Sequence, residues 1–309
     1  MKLKILTFTN KELDKTNRLV SSCNEHKLSI EVIIEKDWQV NAQKIKLLFD
    51  YLNNLKEEAI ILVTDAFDVL INGNEDDIIS AYKGMNSDIL FSAEANFYFR
   101  NRKLLSHYHK NYPESSTIYR YLNSGTFIGT SSSLREMLAD IIKDNKLKIN
   151  NLQSLIQVRS DQYLYGKIFV DNSIATSKPI YNITLDYNHQ LFEVTGGRMR
   201  ILNLPYITNL HAFNGYKVER FLMKFFKLNE LMDTLTDLKY NQQTKQFYNQ
   251  RTNTNPLVIH IPGSWKSFEK IIDKLMTSKR DFQIGKIPAS FLSLLAYLIS
   301  FLIPFKIKV

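Results

Sequence analysis

The chain has 309 residues, of which 44% are hydrophobic and 12% aromatic, with only 10 glycines and 7 prolines. That is enough apolar material for one large α/β core, and it excludes a disordered or collagen-like chain. The single cysteine, Cys23, excludes an internal disulfide framework and points to a reducing compartment, while a net charge of +9 suits anionic partners such as phosphates or lipid headgroups.

Taken in chain order, Lys4 to Phe8 is expected to be a first strand, and the N-terminus does not read as a signal peptide. Glu12 to Cys23 reads as a helix that packs the thiol, and Ser29 to Ile34 as a second strand. Ala42, Ile45, Leu48, Leu52 and Leu55 recur at helical spacing and predict an amphipathic helix. Ala59 to Thr64 is a continuous apolar run, as expected of a strand covered on both faces. Asp88 to Ser92 repeats that pattern, and the alternation implies βαβ units in a doubly wound sheet. Leu122 to Gly129 is a further strand with a glycine turn before it. Ser133 and Glu136 have the capping-box spacing and predict a helix start. Asp161 to Phe169 reads as a helix, Ile180 to Thr208 as short strands around a Gly196-Gly197 turn, and Leu257 to His260 as a late strand.

Ile287 to Phe305 contains no charged residue and is flanked by Lys286, Lys306 and Lys308. A membrane-spanning helix needs about 20 apolar residues. Pro288 and Pro304 shorten this one, so it is expected to lie in a membrane interface with its lysines at phosphate heads. The alternative is a helix docked on the protein's own surface or in a dimer. The chain therefore divides into an α/β domain over residues 1–270 and an apolar, basic, membrane-associating segment over 271–309. A cytoplasmic protein, peripheral at the membrane, is the expected location. No arginine-rich arm or RNA-binding signature is present, so nucleic acid is not an expected partner.

The strongest chemical signal is Thr64-Asp65-Ala66-Phe67-Asp68. Ligands of open α/β sheets gather outside the carboxyl ends of the strands. Two carboxylates there, three positions apart across a turn, can converge on one hard cation that neutralises a diphosphate. The plainer reading makes Asp65 a turn cap and Asp68 a solvated neighbour. His260, at the end of the late strand, would complete an Asp/Asp/His set suited to manganese, or would be a structural strand-end histidine. Behind it, Gly263 lets backbone approach a phosphate and Lys266 can neutralise one. Asp161 is a candidate general base for an acceptor hydroxyl, or simply a helix N-cap. Asn123-Ser124-Gly125 offers donors to sugar hydroxyls or is an ordinary tight turn, and Glu94 offers a carboxylate for a sugar or a lysine.

Several of these stretches stand in one order that resembles the N-terminal glycosyltransferase domain of the procollagen-lysine hydroxylase/glycosyltransferase proteins and related collagen galactosyltransferase-like sequences. They are Gln43-Lys44, Val63 to Leu70, Phe91-Ser92-Ala93-Glu94, Tyr121 to Gly129, Ser160-Asp161-Gln162, Leu185-Asp186, and His260 with Gly263 and Lys266. The resemblance implies a GT-A (Rossmann-like) fold, a mixed sheet flanked by helices, with the apolar tail appended. It implies a UDP-sugar donor, Mn²⁺ (or Mg²⁺) on Asp65, Asp68 and His260, and Thr7, Trp38 and Lys44 near the uridine and diphosphate. The expected activity is transfer of galactose or glucose to a hydroxyl of a glycan, lipid-linked or protein acceptor. Asp161 would be the base of an inverting reaction, or would position the donor in a retaining one. The family's aspartate run is reduced here to Ser160-Asp161, and Ile261-Pro262 stand where the family has glycine and asparagine. The apolar tail stands in place of a hydroxylase domain, so collagen is not implied as acceptor. The competing reading is a non-catalytic module of the same fold that binds sugar nucleotides or glycans.

Overall fold

The computed structural model describes residues 1–95, 97, 104–176, 181–195, 235–264 and 266–277. The first half runs β1 (Leu3–Thr9), α1 (Arg18–Glu25), β2 (Ile30–Ile34), α2 (Gln43–Asn54), β3 (Ile60–Thr64), β4 (Val69–Ile71), α3 (Glu75–Gly84), β5 (Ile89–Glu94) and α4 (Leu105–Asn111). It continues with β6 (Tyr121–Thr130), α5 (Ser131–Asp144), α6 (Leu152–Val158), α7 (Asp161–Ile174), β7 (Ile183–Asp186) and β8 (Phe192–Val194). The last part holds β9 (Leu238–Asn241), β10 (Gln246–Asn249), β11 (Val258–His260) and α8 (Phe268–Thr277).

Six strands form the main sheet in the order β2-β1-β3-β6-β5-β7. β1 is parallel to β2 and β3, whereas β6 is antiparallel to both β3 and β5. The sheet is thus mixed, with helices on its faces, as in a GT-A fold. Period-two alternation feeds two cores. Leu6, Val63 and Phe127 join Ile45, Leu48, Leu138 and Tyr165 on one face, while Ile5, Leu62 and Ile128 join Leu19, Cys23 and Ile78 on the other. Each fully buried side chain of this size contributes about 1.5–3 kcal/mol. Cys23 is wholly enclosed, and burial pushes its thiol up to about 12, which fits the expected inert, packed thiol. A second sheet, β4-β11-β8, sits beside the first. A third core of Leu70, Phe247, Ile259, Phe268 and Ile272 ties the β9–β10 hairpin and α8 to it.

Several boundaries differ from the sequence expectations. α1 starts at Arg18, six residues late, because Asn17 caps it by accepting from the Val20 amide. α5 begins before the Ser133/Glu136 pattern, because the Thr130 side chain accepts from the Ser133 amide and makes Thr130 the cap. Asn123-Ser124-Gly125 is no turn. It lies inside β6, at an irregularity where the pairing jumps from Phe91↔Phe127 to Ser92↔Asn123. A division after residue 270 would cut α8, whose Ile272 and Leu275 are buried in the third core. The Gly196-Gly197 turn and the apolar 287–305 stretch lie outside the described residues. Among the described residues no helix is long and apolar enough to cross a membrane.

Candidate active site

Asp65 follows β3 directly, and its amide donates to the Gly125 carbonyl at 2.7 Å. Asp68 precedes β4, which pairs with β11 so that Val69 faces His260. The Ile261 amide closes that pairing on the Asp68 carbonyl at 3.0 Å. Antiparallel pairing of two short strands, 192 positions apart in sequence at Asp68 and His260, is therefore what creates the site.

The His260 Nε2 atom lies 3.6 Å from Asp65 Oδ2 and 3.6 Å from Asp68 Oδ1. One ligand atom from each of the three residues lies within 4.8 Å of the others. Nε2 is buried and has no hydrogen-bond partner, an expensive arrangement unless its lone pair is meant for something else. Two carboxylates with one imidazole suit a divalent cation of the manganese type, so the residues present fit such an ion. Burial tends to lower the His260 pKa, but the Asp68 contact and the charges of Asp68, Asp65 and Glu94 outweigh it and hold it above the ordinary histidine value. The other Asp68 oxygen, Oδ2, accepts from the Gly263 amide at 3.0 Å, and Gly263 adopts φ +73, where glycine carries no penalty.

Lys44 occupies the first turn of α2, is 8% exposed, and its ammonium contacts Asp65 and lies 3.6 Å from Asp161. A buried ammonium at a helix N-terminus is unfavourable. Burial pulls its pKa down, yet Asp65 and Asp161 more than compensate and hold it charged. Asp161 is 2% exposed, and burial raises its pKa against the opposing Lys44 charge. It is not the cap of α7, a role taken by Ser160, whose side chain accepts from Tyr163 N. Arg159, with φ 66, turns the chain there, and its carbonyl accepts from the Ala42 amide at 3.2 Å. That bond ties the start of α2 to the start of α7 and so sets Lys44 beside Asp161.

The remaining expected residues are distributed as follows. Gly125 abuts His260: a Cβ added there would stand 2.1 Å from the imidazole Cε1. Asn123 is 3% exposed; its Oδ1 lies 3.0 Å from His260 Nδ1 and accepts from the Gly125 amide at 2.9 Å. Ser124 is 6% exposed within the β6 irregularity. Thr7 has no exposed surface and donates its hydroxyl to the Thr64 carbonyl at 2.9 Å, so it braces the end of β3 and presents no group to a ligand. Trp38 is half-buried against the first core, in the connection from β2 to α2. Lys266 is exposed in the connection from β11 to α8.

Glu94 and Asp186, both within the stretches of the resemblance, hold partners that the sequence did not show. Gln162 donates to Glu94 Oε1 at 2.7 Å, and Asn123 donates to the same oxygen at 3.0 Å. Burial pushes the Glu94 carboxyl up to about 7 although these amides oppose the shift. Asp186, part of the resemblance, accepts from the amides of Gln190, Leu191 and Phe192 and shapes the turn from β7 to β8. His189 is fully buried, 3.0 Å from Glu193, and serves the fold.

Residues 1–219 match a family model described as the PLOD GT domain. The chain is 25% identical over 248 residues to procollagen-lysine,2-oxoglutarate 5-dioxygenase 2 of Mus musculus, covering 73% of this chain and 31% of that protein. It is 28% identical over 207 residues to procollagen-lysine,2-oxoglutarate 5-dioxygenase 1 of Pongo abelii, covering 64% and 26%. It is 23% identical over 297 residues to the multifunctional procollagen lysine hydroxylase and glycosyltransferase of Caenorhabditis elegans, covering 92% and 33%. The chain thus spans between a quarter and a third of the length of these curated relatives. With well over half of its residues under that one family description, the chain belongs to the PLOD GT domain family, a family of glycosyltransferase domains.

Proposed function

We propose that the protein is a glycosyltransferase that moves a hexose, galactose or glucose, from a UDP-sugar to a hydroxyl of a glycan, lipid-linked or protein acceptor. The observation that carries this reading is the buried, unpartnered His260 Nε2 facing Asp65 and Asp68. These three residues would hold Mn²⁺ (or Mg²⁺), which when bound supplies positive charge for the departing diphosphate.

The chain's own residues do the rest. The Gly263 amide fixes one Asp68 oxygen and leaves the other turned to His260. The Lys44 ammonium contacts Asp65 and lies 3.6 Å from Asp161, setting one positive charge between the two carboxyl groups. Lys266, exposed after β11, would add positive charge for the departing diphosphate. In transfer, the bond between the sugar's anomeric carbon and the UDP oxygen breaks, a bond from the acceptor oxygen forms, and the acceptor proton leaves. Among the four carboxylates of the site, Asp65 and Asp68 are committed to the cation and Glu94 to two amides. Asp161 is left to receive the proton in an inverting transfer, or to hold a donor hydroxyl in a retaining one.

The test is release of UDP from a panel of UDP-sugars, with Mn²⁺ and with EDTA, beside the Asp68→Asn variant. Mn²⁺-dependent release from one sugar, absent in the variant, supports both donor and metal site. UDP-sugar binding without turnover on any acceptor would instead favour a binding module, and no binding would overturn the reading. For the uncharged 287–305 stretch we propose peripheral contact with an anionic membrane surface, in keeping with a cytoplasmic, membrane-peripheral protein. Unaltered sedimentation with phosphatidylglycerol vesicles after deletion of the residues beyond Ile284 would refute that contact.

A further inference from the structure

His260 meets the site with one ring nitrogen and the protein with the other. Nε2 faces Asp65 and Asp68 at 3.6 Å each, and Nδ1 lies 3.0 Å from Asn123 Oδ1. Taken alone, two carboxylates beside Nε2 would draw the ring proton to that nitrogen. The Nε2–H tautomer points a hydrogen, not a lone pair, at the place a cation would occupy, and cannot ligate.

The amide of Asn123 opposes this. Its orientation is fixed from two sides. The Gly125 backbone amide, which can only donate, donates to Oδ1 at 2.9 Å, and Glu94 Oε1, an acceptor, receives Nδ2–H at 3.0 Å. A flipped amide would set a donor against a donor and an oxygen against an oxygen. With Oδ1 thus turned to His260, its partner Nδ1 must carry the proton. Glu94 is held in turn by Gln162 at 2.7 Å, which also donates to the Leu122 carbonyl at 3.1 Å.

We propose that Glu94 and Asn123 are positioning residues that keep His260 in its Nδ1–H tautomer, so that the Nε2 lone pair faces Asp65 and Asp68. This assigns Asn123 to the protein's own scaffolding of the site, with its Oδ1 engaged twice and its amide anchored on Glu94. The role rests on the cation site proposed above. Outer partners of this kind typically change metal affinity 10–100-fold when removed.

The experiment uses the full chain with ¹⁵N-labelled histidine, metal-free, at a pH where the ring is neutral. The wild-type His260 signals should show a protonated Nδ1 and a bare Nε2. Asn123→Ala should move the proton to Nε2 and weaken Mn²⁺ binding 10–100-fold by calorimetry. Glu94→Gln, which retains an acceptor oxygen for Asn123, should keep the wild-type tautomer, whereas Glu94→Leu should weaken Mn²⁺ binding. If Asn123→Ala does not fold, the two Glu94 variants decide the matter alone. A wild-type ring protonated on Nε2, a tautomer unmoved by Asn123→Ala, or equal Mn²⁺ affinity in Glu94→Gln and Glu94→Leu would overturn the proposal. If the wild type binds no Mn²⁺ at any pH, the cation reading fails, and the tautomer spectra still judge the positioning role by themselves.

Discussion

Gly125→Ala tests whether the cation site depends on the close seat of His260 against β6. A Cβ at 125 would stand 2.1 Å from Cε1, 2.6 Å from Nδ1 and 2.8 Å from Nε2 of the imidazole. Ordinary contact begins at 3.4 Å, so the ring must retreat by about 1.3 Å or the backbone must yield. The backbone is held by Thr126 paired to Thr64 and by the Asp65 amide on the Gly125 carbonyl, so the ring is the part that moves. Overpacking of this kind costs about 1–3 kcal/mol. In a domain of this size, each kcal/mol lowers Tm by about 2–4 °C. The effect on metal is larger, because ligand distances tolerate only about 0.2 Å. Mn²⁺ affinity should therefore fall at least about a hundredfold, or some 2.8 kcal/mol. The assay is Mn²⁺ titration followed by electron paramagnetic resonance, beside a thermal melt. Gly84→Ala serves as the control, since a Cβ there meets nothing within 4 Å. A Gly125→Ala protein that binds Mn²⁺ within threefold of wild type would refute the geometry.

Asp68→Asn should remove Mn²⁺-dependent UDP binding while the melt stays close to wild type, because an amide oxygen can still accept from Gly263; UDP binding that keeps its Mn²⁺ dependence would sink the metal assignment. If the transfer inverts, Asp161→Asn should leave donor binding intact and stop transfer, so unchanged turnover would place the base elsewhere. Because the metal-free His260 pKa stands above 6.5, a cation must displace a proton as pH falls through that raised value. Mn²⁺ affinity should rise with pH up to the raised pKa and be flat above it, with proton release seen as buffer-dependent binding heat; an affinity indifferent to pH would refute this. The metal-free fold has the opposite sign: the ring's charge stabilises it fully below 6.5, and that contribution is lost as pH rises through the raised value. Lys44→Met should destabilise the protein by about 3–5 kcal/mol, since it strands the buried Asp161 carboxylate beside Asp65; chemical denaturation showing less than 1 kcal/mol would contradict the ion-pair role.

Much of the architecture was legible in the amino-acid order because it is written locally. A continuous apolar run such as Ile60–Thr64 can only be covered on both faces, and the 3–4 spacing of Ile45, Leu48 and Leu52 can only present one face. Asp65 and Asp68 stood out because they follow such a strand, and His260 because it ends one. The sequence could not show that β6 runs against its neighbours, since strand direction is set by pairing partners far along the chain. Nor could it show that Gly125 is demanded by the His260 ring and not by a turn, because the two residues meet only when β11 docks. The helix starts at Arg18 and Ser131 were displaced because Asn17 and Thr130 compete successfully for the first amides. The links Lys44–Asp161 and Glu94–Asn123–His260 join charged and polar groups across three or more elements. Composition and spacing determine which residues can carry such chemistry. Only tertiary structure decides which of them are buried together, and burial is what makes their charges and lone pairs strong enough to matter.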